Sequence, residues 1–224
     1  MQFSIGITVA DETKSPRKFT LNDIEVGSRL YEALVRHAQA TQGAPIIYGD
    51  LLALAKGLHP EDAVLQRAVP IGIGMKLLFV EAFCISHGYP NLACLAVNAK
   101  TLSPGPGYKG DWEADKRAVA GFDWSGADAQ LATYASEKRS ALPKKLARRG
   151  EDEAKKIWYA FYKTDKKQFI KLNEDTFFIG RTGERIKFLA TDLLEIINLI
   201  MDCLEPAAAL RQVLDAKAEF GDNP

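Results

Sequence analysis

The sequence predicts an α+β protein: an N-terminal winged helix-turn-helix module, then a small antiparallel sheet with a long C-terminal helix. Three observations carry this expectation. Residues 21–88 hold apolar side chains at helical spacing, punctuated by Gly43, Gly57 and Gly88. A buried-strand pattern, "NLACLAVN", follows and runs into a Gly/Pro-rich loop, "SPGPGYKG". Beyond residue 157 the pattern changes to short apolar-aromatic runs separated by turn residues.

The elements are justified in chain order. "MQFSIGITVA" alternates loosely and reads as a strand. The first helix takes Asn22 or Asp23 as its cap, carries Val26, Leu30, Leu34 and Val35 on one face, and stops at Gly43 before Pro45. "YGDLLALAKG" is a short second helix, with Asp50 at its positive N-terminal end. "PEDAVLQRAV" opens a third, with Pro60 near its first turn. "MKLLFVEAFCISHG" continues as an apolar helix. Three helices, a strand and a glycine-rich loop is the order of a winged helix, so residues 1–125 are expected as one module. Residues 126–156 are polar, basic and helical, broken near Pro143 and Gly150, and read as a linker. In 157–224 the runs "IWYAFYKT", "QFIKLN", "TFFIGRT" and "ERIKFLA" read as four strands. A helix capped by Thr191 or Asp192 follows, ended or kinked at Pro206.

Composition narrows the function. The 224 residues suffice for one large or two small cores. Lys+Arg and Asp+Glu both number 29, so a globally basic nucleic-acid coat is excluded while a local basic patch is not. Cys84, Cys94 and Cys203 make no C-x-x-C pair and sit in apolar surroundings, as buried free thiols in a reducing cytoplasm would. The opening residues are too polar for a signal peptide. The longest apolar run is interrupted by Lys76 and Glu81, so no membrane span is expected. His37, His59 and His87 lie on separate elements without ligand spacing, and neither a metal nor a cofactor is expected.

The segments "PIIYGDLLALA", "LQRAV", "LACLAVN" and "GPGY" together resemble the DNA-binding domain of O6-alkylguanine-DNA alkyltransferases and alkyltransferase-like proteins, over residues 45–110. The resemblance implies a winged-helix scaffold. It matches Tyr48 to the tyrosine that helps rotate a target nucleotide and Arg67 to the arginine that replaces a flipped base. It puts Cys94 where the alkyl-accepting cysteine lies. The active-site motif differs: Ala93 replaces the proline, and Leu95 and Ala96 replace the activating His-Arg. A thiol without a base or cation is a poor nucleophile, so the resemblance points to binding without alkyl transfer.

The expected function is therefore non-enzymatic DNA binding, duplex more than single-stranded. Tyr48, Gln66 and Arg67 would reach the duplex. Lys109, Lys138, Arg139, Lys144, Lys145, Arg148 and Arg149 would neutralise phosphates. Lys166 and Lys167, interleaved with aromatics from Trp158 to Phe169, extend the basic surface. A second class is a protein-binding accessory or inhibitor protein of the kind a phage or mobile element encodes, which zero net charge suits. A third is a metal-dependent nuclease using Asp111, Glu113 and Asp115, which requires these carboxylates to converge. The apolar stripe Leu193, Ile196, Ile197, Ile200 and Leu204 would pack internally or form a homodimer.

Overall fold

A computed structural model describes residues 19–105, 108–143, 148–164, 166–180 and 183–220. The strand expected over the first ten residues, Lys144 and Lys145 lie outside the described residues. The chain is mixed helix and sheet. Among the described residues, nine α-helices and two small sheets are arranged around two apolar cores.

The first core begins with α1 (Leu21–Thr41). Its cap is Thr20, two residues before Asn22 and three before Asp23. The Thr20 side chain accepts from Asp23 N, and the Asp23 carboxylate accepts from Thr20 N. Ile24, Leu30, Tyr31 and Leu34 are fully buried beneath α4 (Ile73–Ser86), α1's principal packing partner. Gly27 permits this approach, because a Cβ there would meet Phe79 Cδ1 at 2.7 Å and Lys76 O at 2.9 Å. Strand β1 (Ile46–Ile47) leads into α2 (Tyr48–Leu58). The expected third helix is a single turn, α3 (Ala63–Gln66), capped by Asp62. Pro70 ends it by starting a separate turn, Pro70–Gly72, ahead of α4.

"NLACLAVN" is mostly a tight turn, Leu92–Leu95, before β2 (Ala96–Val97). Strand β2 pairs in parallel with β1 and not with a neighbouring hairpin strand. Helices α5 (Trp112–Ala120) and α6 (Ala127–Ser140) close this core, with Val119, Trp124, Leu131 and Tyr134 buried.

The second core is built by α7 (Glu151–Thr164), a three-stranded sheet, α8 (Ala190–Met201) and α9 (Pro206–Phe220). "IWYAFYKT", expected as a strand, is the second half of α7. Ala154, Ile157, Trp158, Phe161 and Tyr162 recur every three or four residues and share one face. The sheet therefore has three strands, β3 (Phe169–Leu172), β4 (Asp175–Ile179) and β5 (Arg185–Phe188), antiparallel in chain order. The expected long helix is two. Cys203 takes a left-handed conformation (φ 69) at the break, and Pro206 opens α9, where the missing N–H costs nothing. Ile196, Ile197 and Ile200 of α8 are buried within the chain, so this stripe is covered by its own second core.

Candidate functional site

A groove of about 560 Å³ lies where the two cores meet. Its first wall comes from Tyr48 at the start of α2, Ala93 and Ala96 beside the tight turn, and Gly105 and Tyr108 of the glycine-rich loop. Met75 and Leu78 of α4 form the floor with Leu199 of α8. The second wall is α9, through Ala208, Arg211, Gln212 and Asp215. Small residues make the space. A Cβ on Gly74 would meet nothing within 4 Å, whereas a Cβ on Gly72 would run into the Glu195 carboxylate.

The groove is apolar with a few polar groups at its margin, the usual make-up of a ligand site. Asn91 Nδ2 donates to Glu81 Oε1 at 3.1 Å. The Tyr108 hydroxyl donates to Asp115, and burial together with that carboxylate raises its pKa, which keeps the phenol protonated. Cys94 lies behind the wall with 0% exposure. Burial, with Asp115 nearby, pushes its thiol up to about 12, so the thiolate fraction at pH 7 is on the order of 10⁻⁵. Alkyl transfer at Cys94 has no activated nucleophile.

Beneath the groove a polar seam joins the cores. Lys76, 2% exposed in the middle of α4, places Nζ 3.0 Å from Glu195 Oε1 and 3.9 Å from Asp23 Oδ1. Burial alone would lower the Lys76 pKa. Glu195 and Asp23 outweigh it, and the ammonium is held above its ordinary value. Asn198 Nδ2 donates to Glu195 Oε2 at 3.3 Å and to Arg67 O at 3.2 Å, while Arg67 Nε returns a bond to Asn198 Oδ1 at 3.2 Å. Arg67 also pairs with Glu151. Farther along, Thr20 Oγ1 donates to Asp202 Oδ2 at 2.9 Å, and Arg148 Nε faces Asp202 Oδ1 at 3.4 Å.

Tyr48 is buried and lines the groove. Gln66 donates to the carbonyls of Lys56 and His59 and fastens the α2–α3 connection. Arg67, Arg148 and Arg149 point inward. The first two hold the seam, and Arg149 donates to the carbonyl of Ile200 at the free end of α8 and to that of Leu204 just beyond it. Lys138 lies over the Tyr134 ring at 4.8 Å. Lys109, Arg139, Lys166 and Lys167 are exposed. Trp158 and Phe169 turn into the core, and Tyr159 remains half-exposed. The three carboxylates of the nuclease reading diverge. Asp111 caps α5, Glu113 pairs with Lys116 at 2.7 Å, and Asp115 accepts from Tyr108. Among the described residues no group of three His, Cys, Asp or Glu is placed to hold a metal, and no helix is long and apolar enough to cross a membrane.

The seam residues Lys76, Glu195, Asn198 and Asp202 escape a sequence reading, although a signal exists. Each interrupts an apolar run, and a polar group inside such a run needs a buried partner. The chain matches no family model, no curated protein and no solved structure.

Proposed function

We propose that the chain is a non-enzymatic DNA-binding protein whose N-terminal module, on a winged-helix-like plan, seats a duplex over the groove. The groove would receive a nucleotide turned out of the stack. One observation carries this reading. The segments that resemble the alkyltransferase domain, "YGDLLALA", "LACLAVN" and "GPGY", are separate in sequence, yet Tyr48, Ala93, Ala96, Gly105 and Tyr108 line one wall of the same groove. An apolar slot flanked by tyrosines suits a flat base, and the protonated, buried Cys94 supports holding without chemistry. Arg67 is excluded from the stack by its partners Asn198 and Glu151. Phosphate contacts then fall to Lys109, Lys138 and Arg139.

The test is fluorescence anisotropy with labelled duplexes, fully paired or carrying one extrahelical nucleotide, across a salt series. Preference for the extrahelical duplex is expected. Gly74→Leu, which fills the groove from an open backbone position, should abolish that preference while leaving the salt slope unchanged. Absence of duplex binding at low salt overturns the reading.

A second reading, a protein-binding accessory, is favoured by the groove's charge. With Glu195 neutralised by Lys76, Glu81 and Asp215 face it against Arg211, which suits a basic amphipathic segment. Titration with such a peptide, sensitive to Gly74→Leu in the absence of any duplex binding, would establish this reading in place of the first.

A further inference from the structure

The C-terminal sheet has a second face. Its inner face buries Phe169 and Phe178 against Trp158, with Ile186 and Phe188 partly covered. Side chains alternate along a strand, so Ile170, Leu172, Asp175, Phe177, Ile179, Arg185 and Lys187 point to the other side. None of these seven belongs to either core. The register sets Phe177 at the centre, with Ile170 opposite it on β3 and Lys187 opposite it on β5. Leu172 is 40% exposed. Arg185 is exposed at the start of β5, paired across the strand with Ile179.

Charge indicates what covers this face. The chain is neutral as a whole, but residues 166–188, which make the sheet and its entry, carry six Lys and Arg against three Asp and Glu. The one acid on the outer face, Asp175, is neutralised by Lys187 at 2.9 Å. Lys166 and Lys167 are exposed where the chain enters β3, beside the same platform. A flat aromatic and aliphatic centre with cations at its rim complements a polyanion that offers planar faces. A duplex hides its base faces in the stack. A single strand exposes them, and its bases stack on an aromatic ring whatever their sequence.

We propose that the outer face of the β3–β4–β5 sheet is a binding surface for single-stranded nucleic acid. One base stacks on Phe177, and the flanking phosphates lie against Arg185 on one side and Lys166 and Lys167 on the other. The platform is about 10 Å across its three strands, room for roughly two bases. This surface is separate from the groove, and the proposal does not depend on what the groove holds.

The experiment is anisotropy of a labelled oligothymidylate of roughly 12 nucleotides with the full chain, at several salt concentrations. Binding is expected, weakened about tenfold to a hundredfold by Phe177→Ala and retained by Phe177→Tyr. Joint replacement of Lys166 and Lys167 by Gln should reduce the salt slope by about 1.4 while leaving the thermal midpoint in place. Gly74→Leu should change neither result, which separates failure of this proposal from failure of the groove reading. Absence of binding by the folded parent chain, or full affinity in a folded Phe177→Ala protein, overturns the proposal. So does sedimentation showing a dimer that Phe177→Ala splits while oligonucleotide binding is unaffected, since the face would then serve a second copy.

Discussion

At the residue scale, the seam concentrates charge where solvent does not reach. Asp202 is the clearest case. Burial pushes its carboxyl up to about 6 and outweighs the bond from Thr20 and the charge of Arg148, with Asp23 adding a smaller push in the same direction. A raised carboxyl pKa means that between about 4 and 6 the folded chain binds a proton that the unfolded chain has released. Stability from this group is therefore full below that window and is lost as pH rises through it, by about 3 kcal/mol. Denaturant titrations at pH 4.5, already inside the window, and at pH 7.5 should show about 2 kcal/mol of this loss in the parent relative to Asp202→Asn, in which the slope flattens. An identical pH dependence of the two proteins would place the Asp202 charge in solvent. Lys76 makes a complementary case. Its removal in Lys76→Met leaves Glu195 and Asp23 as buried anions without a counter-ion, at a cost of about 3–5 kcal/mol. The double replacement Lys76→Met with Glu195→Gln should recover much of that loss in the same denaturant assay.

At the scale of elements, α4 shows how two glycines two positions apart do opposite things. Gly72 ends the turn before the helix, and any Cβ there collides with the Glu195 carboxylate that neutralises Lys76. Gly74 lies inside the helix and faces open groove. Gly72→Ala should therefore destabilise by about 1–3 kcal/mol, by displacing a buried ion pair. Gly74→Ala should stabilise by about 0.5–1 kcal/mol, by restricting the unfolded chain. Thermal melts of the two proteins give opposite shifts if the groove is open at Gly74 and closed at Gly72. The same elements show what the sequence discloses. Helices α1, α2 and α4 are legible, because their apolar spacing and terminal glycines are local signals. Helix α7 reads falsely as a strand because aromatic residues dominate "IWYAFYKT", and its acidic N-terminal turn, Glu151 to Glu153, sits in the segment taken for a linker. The winged-helix order predicts a recognition helix around Gln66 and Arg67. The structure has one turn there, since Asp62 starts it and Pro70 stops it within eight residues. Of the candidate site, Tyr48 and the 91–108 loop are readable from sequence. Helix α9 is not, because its place on the groove is fixed by contacts more than a hundred residues away.

At the scale of the whole molecule, two apolar cores are held together through polar pairs. Buried ion pairs between well-packed halves fix geometry more than they add stability, because desolvation offsets most of the attraction. Each half also has its own continuous core, the arrangement in which parts of a chain separate before either melts. The groove draws one wall from each half, so its shape depends on the seam staying closed. A chain carrying Arg67→Ala and Arg148→Met together loses the bonds to Asn198, Glu151 and Asp202 without touching a groove-lining residue. Hydrogen exchange should then show the amides of α7, α8 and α9 opening ahead of those of α1 and α4, where the parent protects both sets together. Groove binding, whether of an extrahelical nucleotide or a basic peptide, should weaken about tenfold in that variant, while oligonucleotide binding on the outer sheet face stays at parental strength. Were α1 and α4 to lose protection together with α7 to α9, the seam would be part of one cooperative core and not the joint between two.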